Sequence, residues 1–446
     1  MRTSPTRPLL RYVPLVVALA IGSVVLLSQK ADAEPVNLAP ERTVVWKDFL
    51  GVNAHLLWFT PEQYRKQISQ YQKLGLDWMR IDLHWDRMEP REQDYQLDTL
   101  DALDKTLSAE NIRSVFYLVG SAPFATTAPK GAPFQDQYRP RDANMYAQRL
   151  VMFAQRYPHI DAWQVWNEQN LPNNWRPQVN PKEYGELLLA SHQALDAAVP
   201  GKTQVMGGMA YYSQMPPRGK NLMFEALGEL GVQHLGMVAA YHPYSMTPES
   251  DDPGKNDVLL RGNQLNAMLH NAGIKDVWAT EWGWSSYAGP KEMQDLIGVD
   301  GQADYTLRRL ALMASQDYQK IFLFALSDLD ERASARDQHY GLLDLNGEPK
   351  PVYTALARFL EITGPSLQPG ATPALRDVPH NLYSVAWTRG DGKHLLMYWS
   401  ADGSSVTLPE VHNAELIDPL TGASQTLEDA NGIRPPVKPT LQILLW

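Results

Sequence analysis

The chain has 446 residues, 44% of them hydrophobic and 20% charged, an ordinary globular composition long enough for a large catalytic body with an appendage. It contains no cysteine, which excludes a disulfide framework, a thiolate metal site and a cysteine nucleophile. Its formal net charge of −10 argues against nucleic acid, an anionic membrane surface or a strongly polyanionic substrate as partner.

Residues 1–33 stand apart. Arg2, Arg7 and Arg11 precede an apolar run over 12–27, and Ala31-Asp32-Ala33 supplies small residues before Glu34. This is the pattern of a secretory signal peptide; the alternative is a membrane anchor, since the apolar run approaches the ~20 residues that a bilayer requires. Either way the chain is expected to be exported to the periplasm, and the anchor reading associates it with the inner membrane. Cleavage after Ala33 removes Arg2, Arg7, Arg11 and Lys30 against Asp32 alone, so the mature chain is more acidic still.

A strand is expected over 48–55. Thr60-Pro61-Glu62-Gln63 then gives an N-cap, a proline at the first helical position and a glutamine three after the cap, while Tyr64, Ile68, Tyr71 and Leu74 share one helical face up to Gly75. The alternation continues with strands over 78–83, 112–119, 162–166, 203–207, 237–241, 277–280 and 321–326. Helices are expected between and after them over 97–109, 143–156, 180–199, 221–230, 259–271, 303–316 and 352–360. Eight largely apolar strands alternating with helices fit an α/β fold of the (β/α)8 TIM barrel type. The alternative, a doubly wound open sheet, lacks its Gly-rich phosphate loop after the first strand. No Walker loop, zinc-protease helix or nucleophile-elbow serine is present.

Beyond Gly364-Pro365-Ser366 short strands are expected over 382–388, 394–398, 406–408, 415–417 and 441–445, split by Asp391-Gly392, Asp402-Gly403, Thr421-Gly422 and Asn431-Gly432. The expected division is therefore a signal or anchor over 1–33, a catalytic barrel over 46–364 and a small C-terminal β-sandwich over 365–446, which 36–45 could complete as an additional strand.

Two stretches share one grammar. Ala162-Trp163-Gln164-Val165-Trp166-Asn167-Glu168 and Val277-Trp278-Ala279-Thr280-Glu281 are apolar runs that each end in an acid, on the fourth and seventh strands. In a barrel the C-terminal strand ends face one mouth, so both acids point to the same site. A lone glutamate after a strand is usually a surface acid; two at the same level make a carboxylate pair, the equipment of glycoside hydrolysis.

Trp166-Asn167-Glu168 on strand four with Glu281 ending strand seven resembles the clan A glycoside hydrolases, family 39 in particular. The resemblance implies that Glu168 is the acid/base and Glu281 the nucleophile of a retaining reaction. The family commonly has proline after the first glutamate, where this chain has Gln169. Gly75-Leu76-Asp77-Trp78-Met79-Arg80 resembles the clan's second strand, which implies that Arg80 lies under the nucleophile and lowers its pKa. By the same resemblance Asn167 grips the sugar 2-hydroxyl, and Tyr241-His242-Pro243-Tyr244 ends strand six with Tyr244 against the nucleophile; His242 alone reads more readily as structural. Among the loop aromatics, Trp58, Phe59, Phe124, Phe134, Tyr138, Tyr211, Tyr212 and Tyr287, and above all Trp85, Trp175, Trp282 and Trp284, are candidate platforms for sugar rings, although half or more would be packing residues. The acidic run 249–252 reads as a solvated loop.

Export, the clan motifs and the small C-terminal domain together resemble the endoglycosidases of bacterial exopolysaccharide gene clusters. That likeness implies endo-acting cleavage of a neutral mannose-, glucose- and rhamnose-type polysaccharide, with neither metal nor organic cofactor. The alternatives are an exo-acting xylosidase- or iduronidase-like glycosidase and a non-catalytic polysaccharide-binding scaffold.

Overall fold

The computed structural model describes residues 34–210, 223–250, 257–290 and 296–446. The expected signal or anchor segment, Tyr211 and Tyr212 therefore lie outside the described residues. Among those described, no helix is long and apolar enough to cross a membrane.

Eight parallel strands close into a barrel in chain order: Leu50–Asn53, Trp78–His84, Arg113–Val119, Ala162–Asn167, Thr203–Ala210, Ala239–His242, Val277–Trp282 and Lys320–Leu323, the eighth pairing back onto the first. The helices packed outside include Pro61–Gln72, whose capping box forms as the sequence dictates: Gln63 N–H donates to Thr60 Oγ1, and the Thr60 N–H donates to Gln63 Oε1. That helix buries Tyr64, Ile68 and Tyr71.

Among the boundaries that differ from the sequence reading, two lie at the barrel's closure. The eighth strand stops at Leu323 rather than running to 326; beyond it Phe324 N–H still bonds Trp282 O and Leu326 N–H bonds Asn53 O, and the Phe324–Ala325 peptide bond is cis. Ahead of the first strand, Trp46–Phe49 forms a helical turn that buries Trp46 and Phe49.

The C-terminal part is an antiparallel sheet in the order Ser424–Glu428, Asn413–Ile417, Gln442–Leu445, His394–Trp399, Tyr383–Arg389, Ser366–Pro369 and Val44–Val45, with Val36–Leu38 lying parallel to Tyr383–Arg389. The strand at 424–428 has no apolar alternation and escapes the sequence reading; where 406–408 was expected as a strand, pairing is confined to Ser404–Ser405 against Pro436–Val437 and isolated bridges. The strand period of two sorts side chains between the sheet's faces. Leu395, Met397 and Trp399 join the barrel's core, while Leu396 and Tyr398 join a second cluster with Val406, Leu408, Ile433 and Val437, completing the sandwich. One bond ties the layers at the barrel mouth: Trp399 Nε1 donates to Glu249 Oε1 at 2.9 Å, and Arg308 pairs with the same oxygen at 2.5 Å. Glu249 is thus a held, mostly buried acid rather than part of a solvated loop; Asp251 and Asp252 lie outside the described residues.

Candidate active site

The second strand carries the polar centre of the barrel. Arg80, Asp82 and His84 alternate along it and so share its inward face. The Arg80 side chain is buried, with its guanidinium 3.9 Å from the centre of the Tyr117 ring. Its donors reach three other strands: Nε to Gln164 Oε1 at 2.7 Å, Nη1 to Asn53 Oδ1 at 2.8 Å and to Glu281 Oε1 at 2.7 Å, and Nη2 to Asn167 Oδ1 at 2.6 Å. A buried guanidinium is tolerable only when its fork is satisfied in this way.

Glu281 is 7% exposed. Besides Arg80, it accepts from Tyr244 Oη at 3.2 Å through Oε2, and His242 Nδ1 lies 3.5 Å from the same oxygen. Burial by itself would raise this carboxyl. The fields of His242 and Arg80, with the Arg80 hydrogen bond, outweigh it and hold the group below the usual carboxylate range. Burial first, and then the Glu281 charge, push the Tyr244 phenol well above its ordinary value, so it remains a donor.

Glu168 stands one residue beyond the fourth strand in a left-handed backbone conformation, φ 48°, and Trp166 two residues earlier has φ 71°. Its N–H is held by Gly208 O at 2.8 Å on the neighbouring strand. Oε1 lies 2.9 Å from His242 Nδ1, and Oε2 accepts from Asn174 Nδ2 at 3.0 Å. His242 is fully buried between the two acids, its Nε2 3.1 Å from Thr280 Oγ1. Space for it exists because the fifth strand carries Gly208 there: a Cβ at that position would stand 2.1 Å from His242 Nε2 and 2.6 Å from Thr280 Oγ1. One ligand-type atom each from Glu168, His242 and Glu281 lie within 4.8 Å of one another, so the two carboxylates face each other across the mouth.

Beside this pair, Asp82 is buried and ringed by donors. His55 Nδ1 lies 2.9 Å from its Oδ1, while Trp58 Nε1 and His84 Nε2 each lie 3.3 Å from Oδ2. Burial opposes ionisation, but the charge and hydrogen bond of His55 and those of His84 hold Asp82 well below the usual carboxylate range. Burial alone would lower His55, but the Asp82 charge and hydrogen bond, with the Glu281 charge, together outweigh it and raise the imidazole. A cavity of about 160 Å³ adjoins, lined by residues that include His84, Tyr117, Asp136, Gln137, Asn167 and Asn174. The loop 120–141 thus supplies part of the wall.

Among the described residues two groups have the spacing to hold a cation, each bringing one atom per residue within 4.8 Å: Glu168, His242 and Glu281, and separately His84, Asp86 and Asp136. In the first, the Arg80 guanidinium already supplies the positive charge against Glu281.

The structure brings together Glu168, Glu281, Arg80, Asn167, His242 and Tyr244. Four tryptophans expected as sugar platforms are instead packed inside. Trp85 is fully buried edge-on against Phe124 and Tyr146; Trp175, 1% exposed, packs against Trp166 and Tyr184. Trp284 lies edge-on to Tyr305 and donates to Ser245 O, and Trp282 has no exposure. Loop aromatics that keep some exposure are Trp58, Phe59, Phe124, Phe134, Tyr138 and Tyr287, with Phe134 at 61%. Sequence reasoning missed Asp82 and His84, which the alternation Arg80-x-Asp82-x-His84 on a strand could have revealed. It also missed Asn174 and Thr280, for which no local pattern exists.

No protein-family model and no curated protein sequence matches the chain. Solved structures do. A family 39 glycoside hydrolase from the gut symbiont Bacteroides cellulosilyticus WH2 superposes with a TM-score of 0.67 at 19% identity, over 91% of this chain and 82% of that one. A family 30 endoxylanase from Clostridium papyrosolvens C71 gives 0.59 at 12% identity over 92% and 98%, and a glucosidase from Croceicoccus marinus gives 0.60 at 9% identity over 93% and 98%. The likeness is one of fold. This chain's barrel and appended sheet are built as they are in glycoside hydrolases of families 39 and 30.

Proposed function

We propose that the chain is a retaining glycoside hydrolase. The observation that carries this reading is that a carboxylate oxygen of Glu168 and one of Glu281 lie within 4.8 Å of each other, which fits the ~5–5.5 Å of a double displacement better than an inverting pair, whose carboxyls stand ~6.5–9.5 Å apart to admit a water. Such a spacing also speaks against a non-catalytic scaffold. In this mechanism Glu281, kept ionised by His242 and Arg80, attacks the anomeric carbon while Glu168 gives its proton to the departing oxygen. Glu168 then takes a proton from the water that hydrolyses the glycosyl-enzyme. Tyr244 and His242 orient the two acids, and Asn167, its Oδ1 engaged by Arg80, offers its amide N–H to the sugar 2-hydroxyl.

The substrate we infer is a neutral exopolysaccharide of the mannose, glucose or rhamnose type, cleaved internally by an exported enzyme. Three considerations support it: the acidity of the chain, the N-terminal sequence, and solved relatives of the same fold described as an endoxylanase and an endo-β1,6-glucanase. A 2-deoxy-2-fluoro glycoside should leave a covalent adduct on Glu281, read by peptide mass spectrometry; an adduct elsewhere, or none on a turning-over enzyme, rules out the assignment. Sizing the products of a neutral exopolysaccharide decides endo against exo action, since exo cleavage releases only monomers.

The glycine under His242 gives a further expected result. Gly208→Ala should displace His242 and lower kcat/KM by about 10²-fold, the scale of a 1 Å misplacement, with an overpacking cost of about 1–3 kcal/mol seen in denaturant unfolding. Unchanged turnover would mean that His242 has no part in holding the acids.

A further inference from the structure

Asn174 touches the acid and its strained support at once. Its side-chain Nδ2 donates to Glu168 Oε2 at 3.0 Å, and its backbone carbonyl accepts from Trp166 Nε1 at 2.8 Å. Those two partners are the residues with left-handed backbones at the end of the fourth strand, φ 71° at Trp166 and φ 48° at Glu168. Non-glycine residues persist in that region only where their surroundings over-determine them. The loop that delivers Asn174 is itself fixed. Leu171 N–H bonds Glu168 O at 2.9 Å, Asn174 N–H bonds Leu171 O at 3.0 Å, and the next residue, Trp175, is sunk in the core with its ring centre 5.2 Å from that of Trp166. The burial that removes Trp175 from sugar binding makes it the anchor of this loop.

We propose that Asn174 is a positioning residue for proton transfer, a clip that fixes the plane of the Glu168 carboxyl against the departing glycosidic oxygen. This rests on the assignment of Glu168 as the acid. The carboxyl has two oxygens and two neighbours: His242 Nδ1 at Oε1 and Asn174 Nδ2 at Oε2. With both in place rotation about the terminal bond is blocked. With Asn174 removed, His242 alone cannot fix the plane, and proton delivery loses its alignment while the attack of Glu281 is untouched. The clip also fits the site's surroundings, because Asn174 lines the cavity beside Asn167, where a bound sugar would pass.

The distinguishing readout is leaving-group dependence. A departing group that needs no proton, such as 2,4-dinitrophenolate, is indifferent to the acid; phenolate or an alcohol is not. With aryl glycosides of a sugar that the wild-type chain hydrolyses, Asn174→Ala is expected to lower kcat/KM by about 10²-fold for the phenyl glycoside and by less than about 3-fold for the dinitrophenyl one. Asn174→Asp keeps the shape but replaces the donor by an acceptor, and should give the same split even if the alanine variant folds poorly. Equal losses for both leaving groups, or no loss for either, overturn the inference and leave Asn174 as a packing residue. A wild-type chain that hydrolyses none of a panel of aryl glycosides, nor any neutral polysaccharide, instead overturns the reading of the site as a glycosidase.

Discussion

Glu281→Gln is expected to lower glycoside turnover on the order of 10⁴-fold or more, because it removes the atom that forms the covalent bond and no other ionised group in the pair can take its place. Its fold should survive. The amide oxygen of glutamine can still accept from Arg80, so the variant keeps one bond of a buried network and loses a charge. Leaving a buried group poorly satisfied costs about 1–3 kcal/mol, readable in denaturant unfolding. The pH dependence of that cost has a definite sign. The folded Glu281 carboxyl lies below its ordinary value, so its ionisation stabilises the fold above the unfolded value, and this contribution disappears as pH falls through the folded one. Wild type and variant should therefore differ most near neutrality and converge on acidification. Full activity in the variant would remove Glu281 from the chemistry.

Arg80→Met should cost more in stability than any other single change at the site. Deleting the guanidinium strands four acceptors at once, on Asn53, Gln164, Asn167 and Glu281, and leaves Glu281 buried without its cation. Breaking a buried ion pair from one side costs about 3–5 kcal/mol. The remaining effect is on ionisation. With the Arg80 charge and hydrogen bond gone, His242 is left as the main opponent of burial and the Glu281 carboxyl rises, so the acidic limb of the kcat/KM profile should move to higher pH. Arg80→Lys is the control: it keeps a charge but not the fork, and should restore the acidic limb without restoring full turnover. A Met variant with an unshifted limb and unchanged denaturation would show that Arg80 does not govern the nucleophile.

Much of this fold is legible in the sequence because its signals are local. Caps such as Thr60-Pro61-Glu62-Gln63 and two-sided apolar strands announce the alternation, and acids that end apolar runs place Glu168 and Glu281 at the same rim. Contacts between distant parts of the chain are a different matter. Arg80 meets Glu281 across 201 positions, and nothing in either neighbourhood names the other; only family resemblance suggested the pair. Tryptophan was the least informative residue. Trp85, Trp175, Trp282 and Trp284 sit in loops or at strand ends where a sugar platform and a core plug read alike, and burial made them all plugs. His242 illustrates the reverse. Read by itself as a structural histidine, it lies between both acids because Gly208 leaves room for its ring, a dependence that joins two strands.

The pairing of Val36–Leu38 with Tyr383–Val385, and of Val44–Val45 with Ser366–Leu367, carries a consequence for biogenesis. A chain emerging N-terminus first exposes these short segments long before their hydrogen-bonding partners exist, since the partners follow the whole barrel in the chain. The early-made barrel core therefore has to form while its own leading segment is still unpaired. The sheet that receives that segment acts as a late clasp, one that shuts only after every strand of the barrel has been made.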